Sequence, residues 1–182
     1  MELTKETVAL LAACGVLIGT IISNFMTYLI HRSKEKNEWI KESKKKKMEK
    51  GEDLYKNLVI WKRSVFVTHN DWVLLVRGHL TLDAINERIN QRNLDSPEFG
   101  KISEVTTILA GIYFPDVFPS ISEAQKKLKP ANDIYFSLVH GNEIKDKQEA
   151  VIAILDCGRN FDKCVDEILK SISNKIIGMM DK

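Results

Sequence analysis
The side chains able to do chemistry are few and poorly grouped, with four histidines and three cysteines in 182 residues. His69 precedes Asp71 by two positions, which on a helix point to different sides, so the carboxylate cannot hold the imidazole as a general base. His79 and Asp83 are one turn apart, but they face each other only if a helix passes Gly78 unbroken. Cys157 beside Asp156, and Cys164 between Asp162 and Asp166, would suit a thiol nucleophile or a metal, yet no histidine stands near either in sequence. The chain has no H-x-x-x-H or C-x-x-C spacing, no phosphate loop, no dinucleotide fingerprint and no G-x-S-x-G elbow. The reading is two core cysteines and satisfied histidines, with no catalytic, metal or cofactor residue. An enzyme with a site scattered across several elements is the minor alternative. Cys157 and Cys164 lie about 10 Å apart along a helix, too far to bridge, and free thiols suit a reducing compartment.

A different chemistry, solubility in lipid, marks the N-terminal part. Thr7 to Ile30 is a run of 24 residues with no charged side chain. As a helix it reaches roughly 36 Å, enough to cross a hydrocarbon core of about 30 Å. Within it, Gly15 and Gly19 form a G-x-x-x-G extended by Ala12 and Ser23. These small residues share one face, where two helix backbones can approach closely. Asn24 sits beside that face, and an amide in lipid seeks a partner on another helix. Ala12, Gly15, Gly19, Ser23 and Asn24 are therefore the expected self-association residues. A cleaved signal peptide fits poorly, since the apolar run is too long and its start, MELTKE, is not basic. Leu11-Ala-Ala-Cys14 spells a lipoprotein box, but the chain stays apolar after Cys14, which reads as a small residue of the span.

The next 20 residues, His31 to Lys50, hold nine Lys or Arg against four Glu. Such an excess is retained on the cytoplasmic side, so the N-terminus is expected outside and the remainder cytoplasmic, at a bacterial inner membrane. Arg32, Lys34, Lys36, Lys41, Lys44, Lys45, Lys46 and Lys47 are candidates for contact with anionic headgroups. Residues 51–182 carry 17 basic and 19 acidic side chains, and this near-neutral balance argues against a nucleic-acid partner.

Beyond the stalk, apolar spacing of three and four dominates. Leu54, Leu58, Trp61, Val65, Trp72 and Val76 form one helical stripe, and Tyr55, Val59, Phe66 and Val73 a second, predicting a helix buried on more than one side and stopped near Gly78. A helix follows at about Leu82–Gln91. Ser96-Pro-Glu98 predicts the start of another, with Phe99, Ile102, Val105, Leu109 and Ile112 inward. Tyr113-FPDVFPS punctuates the chain. Ser120-x-x-Glu123 or Ser122-x-x-Gln125 is expected to cap the next helix, which breaks at Pro130 and resumes to Val139. Gly141-Asn142 turns the chain, and Asp146-x-x-Glu149 opens a final helix to about Gly178 with Val151, Leu155, Phe161, Val165, Ile168 and Ile172 as its seam.

The expected architecture is all-α: a single transmembrane anchor (1–30) continuing into a basic stalk (31–50) and a cytoplasmic antiparallel bundle of four or five helices (51–182). Phe114 and Phe118 are candidate partner-facing aromatics, against the alternative that they close the bundle end. The function expected is a non-enzymatic anchored interaction or scaffold protein, self-associating through its span, with a protein partner. The alternative is a membrane-acting effector, of toxin or phage-defence type, whose assembled spans perturb the membrane.

Overall fold
The computed structural model describes residues 5–97 and 99–180, with side chains from residue 19 onward. Every regular element among the described residues is helical: α1 (Lys5–Val76), α2 (Leu82–Asp95), a 3-10 turn (Phe99–Lys101), α3 (Ile102–Tyr113), α4 (Phe118–Lys127), α5 (Lys129–Val139) and α6 (Lys147–Met180). The all-α class stands, with six α-helices in place of the four or five expected. The chain divides into two units, residues 1–46 and 47–182. Among the described residues no helix is long and apolar enough to cross a membrane. Residues 7–18, the first half of the expected span, lie outside the residues whose side chains are described, as do Ala12 and Gly15 of the self-association set.

In the second unit α1 and α6 run antiparallel. Rising numbers on one meet falling numbers on the other: a Cβ at Gly51 would touch Ile176, Lys62 pairs with Asp166, and a Cβ at Gly158 would lie 3.2 Å from His69. Leu54, Leu58, Trp61 and Val65 interlock with Phe161, Val165, Ile168 and Ile172, and Trp61 meets Phe161 edge-on at 4.8 Å between ring centroids. A second cluster joins Trp72, Val73 and Val76 to Ile85, Ala131, Val151, Ile154 and Cys157. Both α4 and α5 pack on α6, and α3 on α4.

The helix ends follow local chemistry. Gly78 takes φ +77°, a left-handed turn that carries the chain from α1 to α2, and Gly141 does the same at φ +74° after α5. Thr81 Oγ1 accepts the Ala84 amide to cap α2, and Asp146 Oδ1 accepts the amides of Gln148 and Glu149 to cap α6, the pattern expected there. Three expectations are corrected. Ser96 closes α2 instead of opening α3, its amide donating to the Arg92 carbonyl, and α3 starts after a 3-10 turn without a side-chain cap. Neither Ser120 nor Ser122 caps α4, which begins two residues before Ser120 at Phe118 with Pro119 in its first turn. On α3 the buried residues are Ile102, Thr106 and Ala110, leaving Val105, Ile108 and Ile112 outside. Ile102 and Ala110 join the core, and beside them Gln125 Nε2 of α4 donates to Ser103 Oγ and Thr107 Oγ1 at 3.1 and 3.0 Å.

Thr106 is fully buried and its hydroxyl has no hydrogen-bond partner among the described residues. A buried hydroxyl left unmatched costs about 1–3 kcal/mol, and valine has nearly the same shape. Thr106→Val is therefore expected to raise unfolding stability by about 1 kcal/mol in a denaturant titration. A variant less stable than the parent would show that the hydroxyl is satisfied after all.

Candidate functional site
Where side chains of the first unit are described, an apolar stretch of α1 runs into a lysine-rich one, and almost all of them are exposed. Ile21, Ile22, Phe25, Met26, Tyr28, Leu29 and Ile30 are all exposed, Ile21 at 67 % and Phe25 at 60 %. Successive residues advance by 100°, so ten consecutive exposed positions cover every side of the helix. Water penalises the large apolar side chains at about 25 cal/mol per Å², and the remaining side of the helix carries Thr20, Ser23, Asn24 and Thr27, polar but uncharged. Gly19 and Ser23, one turn apart, lie on one side of this stretch, and a Cβ at Gly19 would meet nothing within 4 Å. Thr27 Oγ1 donates to the Ser23 carbonyl at 2.8 Å, which satisfies that hydroxyl within the helix. Asn24 is exposed beside them.

The stalk positions Arg32, Lys34, Lys36, Lys41, Lys45 and Lys46 as exposed side chains, with Lys44 half-buried. Lys47 differs: it belongs to the second unit, where its ammonium lies 5.7 Å above the Phe114 ring. Phe114 is 1 % exposed and part of the core, so it closes the bundle and does not face a partner. Phe118 remains 41 % exposed. It sits against Gly111 of α3, where a Cβ would come 3.7 Å from its ring, next to the outward Ile108 and Ile112. This apolar patch was hidden from sequence reasoning by the wrong choice of buried face on α3.

The candidates for catalysis disperse. Cys157 is buried and its thiol is pushed up by desolvation, which suppresses the reactive thiolate; Cys164 is half-buried, and both are free. Among the described residues no group of three His, Cys, Asp or Glu could hold a metal ion. Asp71 does not pair with His69: it is buried on α1 and accepts from Arg88 at 2.9 Å and from Arg92, both on α2. His79 and Asp83 both follow the Gly78 turn, His79 in the connection and Asp83 in the first turn of α2, so no single helix carries the pair.

His69 departs from the satisfied histidine expected. It is buried, stacked on Trp72 with centroids 5.2 Å apart, and its Nδ1 makes no hydrogen bond of ordinary geometry among the described residues; Trp72 in turn stacks on Tyr135 of α5. Burial pushes its pKa from 6.5 to about 4, opposed in part by the Ile154 backbone carbonyl, so the ring is neutral at pH 7. The unfolded chain takes up this proton near pH 6.5 and the folded chain resists it until about 4. Stability is therefore expected to fall with acidification across that window, by up to about 1.4 kcal/mol per pH unit from this group. In His69→Phe that slope should flatten. An identical pH profile for parent and variant would assign the acid sensitivity elsewhere.

No family model matches the chain, and no curated protein or solved structure matches it.

Proposed function
We propose that this chain is a non-enzymatic, membrane-anchored interaction protein. The apolar stretch ending at Ile30 lies in a bacterial inner membrane, and the basic stalk meets the anionic headgroups of the cytoplasmic leaflet. The helical bundle is held in the cytoplasm, with the N-terminus outside. The observation that carries the reading is the run of large apolar side chains from Ile21 to Ile30, exposed over roughly 200° of the circumference of α1, with only uncharged Thr20, Ser23, Asn24 and Thr27 on the rest, and followed at once by Arg32, Lys34 and Lys36. Lipid solvates such a surface, whereas water does not. Polar Ser23 and Asn24 beside Gly19 favour association of two or more spans at that face. Phe118 with Ile108 and Ile112 supplies the bundle with an apolar patch for a protein partner.

Cross-linking in membranes tests the assembly. The parent is expected to give multimers and Gly19→Leu to give chiefly monomer, because a leucine keeps the two backbones apart. Monomer alone in both would remove self-association through the span.

A further inference from the structure
Of the 14 residues of α2, nine are Asp, Glu, Arg, Asn or Gln, so the helix has little apolar surface to bury. Ile85 is its one fully buried side chain and enters the second core cluster. Ile89 packs on that cluster only partly buried, Leu82 and Ala84 are half-buried, and Leu94 is 77 % exposed. Beyond Ile85 the fastening is ionic: Arg88 and Arg92 both donate to the buried Asp71 of α1. The C-terminal half of α2 is not closely seated. A cavity of about 180 Å³ is lined by Ser64 and Thr68 of α1 and by Ile89, Arg92 and Asn93 of α2, in place of interlocking side chains.

Both ends of α2 are turns able to pivot. Gly78, at φ +77°, opens the connection from α1, and Ser96 ends the helix with its amide on the Arg92 carbonyl. The rest of the cluster has its own support. Trp72, Val73 and Val76 of α1 join Ala131 of α5 and Val151, Ile154 and Cys157 of α6, and Trp72 stacks on Tyr135 of α5 with centroids 4.6 Å apart.

We infer that α2 is a strap that lifts from the bundle as a unit while α1, α5 and α6 stay packed, so that the apolar seat of Ile85 alternates between a covered and an open state. In the open state Asp71, Arg88 and Arg92 return to water together, and no charge is left buried without its partner. The freed segment is short and polar, so it does not hold a helix alone in water. Anything that favours the open seat shifts the population toward it, which makes the strap a control on access to the second cluster.

The test is amide exchange of the full-length chain in detergent, followed by mass spectrometry at several low denaturant concentrations. In the parent, peptides within 82–95 are expected to be at least about tenfold less protected than those within 151–172. Their exchange should also respond more weakly to denaturant, because a smaller surface is exposed on opening. Ile85→Asp puts a carboxylate in the apolar seat and is expected to hold the strap open. Peptides of 82–95 should then exchange as an unstructured chain, while 151–172 remain protected and the bundle still melts cooperatively. Equal protection and equal denaturant response of the two segments in the parent would overturn the inference. So would an Ile85→Asp chain in which α2 stays protected, or in which α6 loses its protection with α2. None of these outcomes bears on the membrane reading.

Discussion

Removing both guanidinium groups opposite Asp71, in Arg88→Ala/Arg92→Ala, is expected to lower the bundle's stability by about 3–5 kcal/mol. The Asp71 side chain is 5 % exposed, on the inward side of α1, and Arg88 and Arg92 are its only recorded polar contacts among the described residues. Without them a carboxylate remains in the core edge with nothing to replace the water it lost. The reverse change is milder. In Asp71→Asn the two arginines, one half exposed and one a quarter exposed, turn toward solvent, so a loss of about 1–2 kcal/mol is expected. Thermal unfolding of the full chain in detergent, followed by circular dichroism, gives both values. Equal losses in the two variants would show that Asp71 is better solvated than its burial indicates. The pair also joins α2 to α1, so α2 is expected to lose amide-exchange protection first in the arginine variant.

A second large effect is expected at the other end of the chain. Ile21→Arg/Ile22→Arg places two cations side by side in the exposed apolar stretch, about 100° apart around the helix. At the centre of a spanning helix each arginine costs about 2.5–3.5 kcal/mol on insertion scales, so the pair amounts to roughly 5–7 kcal/mol. The variant is expected to leave the membrane fraction, whereas Ile21→Leu/Ile22→Leu stays. The bundle should be unaffected, because its core residues all lie between Leu54 and Ile172. If the arginine variant fractionates like the parent, lipid is not what covers Ile21 and Ile22.

Much of the bundle was legible because its decisive signals are local. The stripe Leu54, Leu58, Trp61, Val65, Trp72 and Val76 is buried throughout, and Gly78, Gly141 and Asp146 turn or cap the chain where their chemistry requires. The break before Pro130 is equally a local matter. Where the sequence misled, two apolar stripes competed on one helix. On α3, Val105, Ile108, Leu109 and Ile112 share one apolar face, but the buried side is rotated from it to Ile102, Thr106 and Ala110, next to the Ser103 and Thr107 hydroxyls that accept from Gln125. On α6 the same ambiguity exchanged Leu155, which is exposed, for Ile154, which is fully buried. On α1 the second stripe was expected inside, yet only Val73 is buried while Tyr55, Val59 and Phe66 remain outside. That exposed stripe is a surface that periodicity alone cannot separate from core.

The candidate sites divide in the same way. Basic residues of the stalk were legible because charge is a property of composition. The orphaned nitrogen of His69 was not, since its burial comes from Trp72, Gly158 and Ile154, the last two about 90 residues along the chain. Phe114 and Phe118 look alike in sequence, each followed by a proline, but Phe114 ends α3 inside the core and Phe118 starts α4 outside it.

The most direct test of the anchored-protein account is flotation of the full-length chain, expressed from its first methionine, through a density gradient without detergent after alkaline washing. The account predicts that the chain rises with the lipid. Recovery of the chain in the bottom fractions, folded and free of lipid, would contradict it.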